Sequence, residues 1–520
     1  MPTYLTPGVY VEEMPSASKP IEGVGTSVAA FVGLAPGGPV NTPMQISNWS
    51  QFARVYGDPQ NPENGPFMEG AYLAHSVYGY FLNGGSLCWV VRVGAAEEGE
   101  VARAALPAAA DHGVEAFRVT ALKGVAEPVQ VVLSEEPTTE DGGDNKTYKL
   151  VVSAGSEREE YEGLSPVRKG RSHLATKVNG ASKLIKIEET GSALPDAQRI
   201  PATGTYTLSA PPVSADAVEA SDFEGDVGER TGMGSFAAVD QITMVCIPDL
   251  MSISKNGDDG AHLRDVQGKL IAHCENMGDR MAILDAPPNL RAQDVLDWRM
   301  NVAGYDSKMA ALYYPWLEVM DPLTSSPILI PPSGHIAGAW ARTDSTRGVH
   351  KAPANEVVRG ANGIGFQVTQ AEQGALNQNG INCIRAFSGR GIRIWGARTM
   401  SSDPEWRYIN VRRLFNYVAE SVIAGTQWSV FEPNDQRLWM QLQIAATNFL
   451  MRVWRDGALF GATPAQAFYV KCDEETNPPE VIEAGQVVCE IGIAPVKPAE
   501  FVIFRLSQFT GGGGEAEVAE

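Results

Sequence analysis

Residues 395–454 read WGARTMSSDPEWRYINVRRLFNYVAESVIAGTQWSVFEPNDQRLWMQLQIAATNFLMRVW and carry five of the ten tryptophans. Two helices with start signals fit into this stretch. Asp403-Pro404-Glu405 opens one and Asn434-Asp435 the other, each offering a capping oxygen or a helix-compatible proline. Val411, Leu414, Val418 and Val422 recur at helical spacing in the first; Leu438, Leu442, Ala445, Phe449 and Val453 do so in the second, before Gly457 stops it. The other faces carry arginine: Arg407, Arg412, Arg413, Arg437, Arg452 and Arg455. Periodicity alone describes a core helix pair with a solvated polar side. Composition adds that residues 380–460 hold ten arginines, no lysine and six acids, inside a chain of net charge -21.

Upstream, apolar strands alternate with amphipathic helices: a strand at 241–247, a helix at 261–277, a strand at 281–284, a helix at 292–303 and a strand at 309–314. That order predicts a parallel sheet covered on both faces, so an α/β domain begins after Asp240. Downstream lie apolar runs at 467–472 and 480–493, then a strand at 501–508 containing Phe501, Val502, Ile503, Phe504, Arg505 and Leu506. The tail, four glycines followed by acid, predicts a flexible end.

At the amino terminus Val9, Tyr10, Val11 and Glu12 form a short strand-like piece between Pro7 and Pro15, followed by a spacer at 16–20. A lone strand has no local partner, so it frays or pairs with a sheet elsewhere, in this molecule or another. Residues 26–33 read as a buried strand, 69–82 as a helix ended by Asn83-Gly84-Gly85, and 87–93 as a strand. Residues 96–235 contain no tryptophan and hold 14 Lys+Arg against 24 Asp+Glu. Alternating runs at 117–122, 129–134, 148–153, 184–188 and 204–208 predict an ordered β-rich module rather than a disordered excursion, with looser links at 211–234.

A chain of 520 residues exceeds one ordinary core, and about two to four domains are expected. The acid excess argues against nucleic-acid binding. No signal peptide and no bilayer-spanning apolar run is read, which predicts synthesis in the cytoplasm and no membrane insertion. The six cysteines are scattered without a C-x-x-C pair and read as free buried thiols; no metal or cofactor is expected. Gly268-Lys269 continues into Leu270, so it is no phosphate-binding loop, and Gly360, Gly363 and Gly365 lack the dinucleotide-binding order. The nearest hydrolase-like assembly is Ser333-Gly334-His335 with Asp249 or Asp285, and it lacks the elbow glycines.

Several motifs together resemble the contractile tail sheath proteins of phage tails, tailocins and extracellular contractile injection systems. They are Gly8-Val9-Tyr10-Val11-Glu12, the run 23–33, Gly38-Pro39 with Asn41, Asn83-Gly84-Gly85 leading to Val90-Val91-Arg92-Val93, Trp395-Gly396-Ala397-Arg398-Thr399, the run 406–413, Phe431-Glu432-Pro433-Asn434 and Pro498-Ala499-Glu500-Phe501. The resemblance spans 1–95 and about 240–508. It implies a non-enzymatic subunit of stacked hexameric rings around an inner tube, with baseplate and terminator or cap proteins as further partners. It also implies assembly in the bacterial cytoplasm, with the particle in some systems released. The terminal strands would then be linking arms that add to a neighbour's sheet, and the six arginines named above the candidate contact to the tube. The expected class is α/β, α+β overall: a sheath core of α/β layers from both parts of the chain, an inserted β-rich outer domain and extended terminal arms. The expected divisions are arm 1–22, core 23–95, insertion 96–235, α/β sheath domain 236–380, tube-facing domain 381–500, linking strand 501–510 and tail 511–520. Two alternatives stand beside this one, a cytoplasmic α/β serine hydrolase centred on Ser333 and His335, and a tube or baseplate structural protein.

Overall fold

The computed structural model describes residues 20–505 apart from 59–61, 95–101, 110, 123–128, 137–146, 156, 167–171, 191–199, 209–217 and 254–260. The expected arm strand at Val9, Tyr10, Val11 and Glu12, together with Leu506 and the tail, lies outside the described residues.

An eight-stranded sheet organises the molecule. Its strands are β1 (Ala29–Gly33), β2 (Met44–Ile46), β3 (Cys88–Arg92), β4 (Met244–Cys246), β5 (Met281–Asp285), β6 (Ala310–Tyr314), β7 (Ile381–Phe387) and β8 (Gly391–Ile394), in the order β8-β7-β6-β5-β4-β1-β3-β2. The six inner strands are parallel, and β2 and β8 close the edges antiparallel. β1 is apolar throughout because both of its faces are covered: Ala30 and Val32 enter one core, Ala29 and Phe31 the other. On the first face lie α3 (Ala261–Met277), α4 (Ala292–Asp297) and α6 (Gln370–Gln378), through Val266, Val295 and Leu376. On the second lie α1 (Trp49–Tyr56), α2 (Leu73–Asn83) and α5 (Ser333–Arg347), through Phe52, Val77 and Trp340.

Helix boundaries depart from expectation where a distant group intervenes. The helix expected over 69–82 begins at Leu73, because the buried Asp249 carboxylate accepts from the N–H groups of Tyr72 and Leu73. The helix expected over 292–303 is α-helical only to Asp297 and continues as a π-helical turn, Trp298–Ala303.

The insertion is an ordered β module. One sheet pairs Arg103–Ala108, Asp111–Ala121 and Ile185–Glu189; the other pairs Gly204–Thr207, Val129–Glu135, Tyr148–Ala154 and Glu157–Leu164. Phe117, Val119, Leu133, Leu150, Val152 and Ile187 fill a core of its own. The strand Glu157–Leu164 escaped prediction because its Glu-rich sequence suits a solvent-facing edge rather than an apolar run. Residues 218–234, within the stretch expected as a looser link, instead bring Val218, Phe223 and Met233 into the main core, with Phe236 beside them.

A carboxy-terminal lobe holds α7 (Ile409–Thr426), α8 (Gln436–Arg455) and a two-stranded sheet of β9 (Phe468–Lys471) and β10 (Glu490–Ile493). Asp435 caps α8, accepting from Leu438 N at 2.9 Å. Asp403 does not cap α7. It closes a turn, accepting from Glu405 N at 2.8 Å, while Thr399 holds 406–407 extended through bonds to Trp406 O and Arg407 O, so the helix waits until Ile409.

Candidate assembly surface

The expected arginine face divides in two. Arg412 and Arg413 are buried, which removes them from any outer contact of the folded chain. Arg413 pairs with Asp344 at 2.5 Å, donates to Thr26 O at 2.8 Å and lies over the Trp340 ring, 4.8 Å from its centroid. Arg412 donates to Asn416 Oδ1 at 2.8 Å and stacks 4.4 Å from the Trp406 centroid; burial pushes its pKa down to about 10. Helix phase is the reason: positions 412 and 413 flank Val411 and Leu414 on a helix whose first two turns are enclosed on nearly every side. Arg437, Arg452 and Arg455 are exposed and Arg407 is half-buried. Arg452 also donates to Ile21 O.

That last bond belongs to an anchor for the amino-terminal side. Ile21 is fully buried among Leu414, Val418 and Phe449, and Gly425 meets its side chain so closely that a Cβ there would lie 2.7 Å from Ile21 Cγ1. Val24 N donates to Ser421 Oγ at 3.2 Å, and Thr26 Oγ1 to Asp344 at 2.8 Å. The chain therefore leaves the lobe from a fixed point between α7 and α8.

The carboxy-terminal side has its own anchor. Glu500 receives Arg398 through both oxygens, at 2.9 and 2.6 Å, and also Asn377 Nδ2 at 2.6 Å and Tyr408 OH at 3.2 Å. Beyond it Phe501, Val502, Ile503, Phe504 and Arg505 lie exposed outside any ladder, where a strand was expected. The four apolar residues are 70–84% exposed, and among the described residues such a run has no covering partner.

β9 and β10 pair from Phe468 opposite Ile493 to Lys471 opposite Glu490. Their sheet has two strands among the described residues, so both outer edges are free of strand pairing. Phe468, Val470, Ile491 and Ile493 pack it against α7 and α8. At the tip of the helix pair Phe431 is fully exposed with a φ of 68°. Arg398 and Glu500 stand in separate sequence motifs 102 residues apart, and nothing local to either signals that they meet.

The hydrolase-like residues are structural. Ser333 opens α5, its backbone N–H donating to Asp285 Oδ1 at 2.8 Å. His335 is buried against α2, where a Cβ on Gly79 would lie 2.2 Å from its Nδ1, and burial pushes its pKa down to about 4. Among the described residues no three His, Cys, Asp or Glu side chains gather as a metal site requires, and no helix is long and apolar enough to cross a membrane.

Comparison with known proteins agrees with this architecture. The phage tail sheath protein central domain matches residues 228–400 and the phage tail sheath C-terminal domain residues 401–509, together more than half of the chain. The tail sheath protein of Burkholderia phage BcepMu is 24% identical over 523 residues, covering 96% of this chain and 95% of that protein. The tail sheath protein of Escherichia phage P2 is 23% identical over 54% of this chain and 67% of its own length. Among solved structures, a chain of the anti-feeding prophage baseplate is 25% identical with a TM-score of 0.57, covering 98% of this chain and 100% of that one. The contracted sheath complex of the extracellular contractile injection system PVC shares the fold, with a TM-score of 0.58 at 23% identity over 98% and 99% of the two chains. With the family's two domains matched in order and a β module inserted ahead of them, the chain belongs to the phage tail sheath family: it is a structural, non-enzymatic subunit of a contractile sheath.

Proposed function

We propose that the subunit polymerises as stacked hexameric rings around an inner tube, docks on a baseplate, and contracts to drive the tube through a target envelope. Terminator or cap proteins would close the far end. Assembly takes place in the bacterial cytoplasm, as part of a phage tail or an injection-system particle. The observation that carries this reading is the exposed run Phe501–Phe504 leaving a pinned Glu500 in a lobe that also carries a two-stranded sheet with free edges. The arms, Val9 to Glu12 and Phe501 to Leu506, add as strands to the β9–β10 sheet of a neighbour. Main-chain hydrogen bonds hold such a link, and the spacer at 16–20 separates the arm from the lobe so that the rings can rotate without breaking it.

Contraction driven this way consumes no fuel molecule. A repacked interface supplies about 1–3 kcal/mol of coupling per subunit, which the arms sum along the sheath. Arg437 and Arg455, together with Arg407 and Arg452, form the weak, salt-screened contact to an acidic tube that releases on contraction.

The test is deletion of residues 1–15. The truncated chain should remain a folded, soluble monomer that no longer forms sheaths by electron microscopy; long sheaths from it would refute the arm linkage.

A further inference from the structure

Cys472 directly follows β9 and Cys489 directly precedes β10. The ladder between these strands ends with Lys471 opposite Glu490, so one further step in the same register sets Cys472 opposite Cys489. Directly opposed residues of an antiparallel pair stand about 4.5–5.5 Å apart at Cα, inside the span of about 4.4–6.8 Å that a disulfide bridges. Both side chains pack beside Leu438, Trp439 and Leu442. Asn477 holds this geometry. Its Nδ2 donates to Cys472 Sγ at 3.9 Å and to Val488 O at 3.0 Å, while its Oδ1 accepts from Val488 N at 2.7 Å. The buried Cys246 and Cys383 thiols differ, donating to main-chain carbonyls.

We propose that Cys472 and Cys489 are a reversible disulfide site, reduced while the subunit is made and closed when the particle meets an oxidising medium. The oxidant class is a small-molecule disulfide. The thiolate of Cys489, the more exposed of the two, attacks one sulfur of that disulfide, giving a mixed disulfide and releasing one small thiolate. The thiolate of Cys472 then attacks the Cys489 sulfur, closing the internal bond and releasing the second. Two protein thiols lose two electrons, one small disulfide gains them, and the two protons pass to the released thiolates. Burial raises the pKa of both cysteines, so the exchange is slow and the site stays open through assembly in a reducing compartment. The closed bond staples the hairpin that links β9 to β10. Its consequence for sheath cohesion rests on the proposed role of this sheet as acceptor of neighbouring arms.

Full-length protein purified under reductant, then incubated with oxidised glutathione at about pH 8, tests the site by alkylation and peptide mass spectrometry. The expected result is a Cys472–Cys489 linked peptide, loss of both alkylation sites, retention of the other four, and full reversal by reductant. Cys472→Ser should stop at a glutathione adduct on Cys489. A wild-type protein that keeps the adduct without closing the internal link, or in which both thiols stay alkylatable, overturns the proposal. The readout needs no assembly, so its failure is distinct from failure of the arm linkage, which the deletion of 1–15 reads.

Discussion

Arg398 and Glu500 face each other as a two-pronged ion pair, Nε to Oε1 at 2.9 Å and Nη2 to Oε2 at 2.6 Å, immediately before the exposed residues 501–505. Burial opposes ionisation of Glu500, but the bonds from Arg398, Asn377 and Tyr408 together outweigh it and hold its pKa below the ordinary glutamate value. A depressed pKa stabilises the anchor above the unfolded value and loses that contribution as pH falls through the folded one. Glu500→Gln should therefore leave the fold intact, shifting stability by about 1–3 kcal/mol, while weakening sheath formation at neutral pH. Urea denaturation and negative-stain microscopy of the same preparation check the two halves.

Arg413 and Arg437 should separate fold from assembly. Arg413→Leu leaves the Asp344 carboxylate buried without its cationic partner, with only the Thr26 hydroxyl still donating to it, and should cost about 3–5 kcal/mol. Arg437→Glu, at an exposed site, should change stability by less than about 0.5 kcal/mol. Combined with Arg455→Glu it should reduce tube-dependent assembly at low salt and have less effect at high salt. Turbidity or microscopy at two ionic strengths, beside urea titration of each variant, reads the difference.

Asp285 and His335 give the start of α5 two opposing pH responses. Burial pushes Asp285 up to about 7, so its contribution grows as pH falls from there towards the unfolded value. Burial pushes His335 down to about 4, so its contribution is full above the ordinary histidine value and drains as pH falls through the folded one. Between these limits the two offset. Asp285→Asn should make stability fall more steeply on acidification than in the wild type, and His335→Gln should make it fall less. The urea midpoint measured across that window for the three proteins decides the signs.

Gly334 lies where α5 approaches the backbone of α2 closely. A Cβ there would lie 2.3 Å from Ser76 O and 2.4 Å from Ser76 Cα, main-chain atoms that cannot step aside alone. Gly334→Ala should destabilise by about 1–3 kcal/mol despite the better helix propensity of alanine. A gain in stability on urea denaturation would contradict this packing.

What the sequence determined by itself was periodic and local. Alternation of strands and helices after Asp240 predicted the parallel sheet, the stripe Leu438 to Val453 predicted the buried face of α8, and the five runs between 117 and 208 matched strands of the β module. Each signal lies within one element, where spacing alone decides which side chains share a face. Tertiary structure decided what depends on a distant group. Asp249 moved the start of α2, Thr399 delayed α7, and Asp344 with Trp340 drew Arg413 inward from a face that composition had painted as solvent-facing. An arginine's long side chain can reach water or a buried carboxylate from the same helical position, and only the packed neighbour tells which. The pairing of Arg398 with Glu500 likewise had no local signature, since it is set by how segments far apart in sequence come to lie side by side.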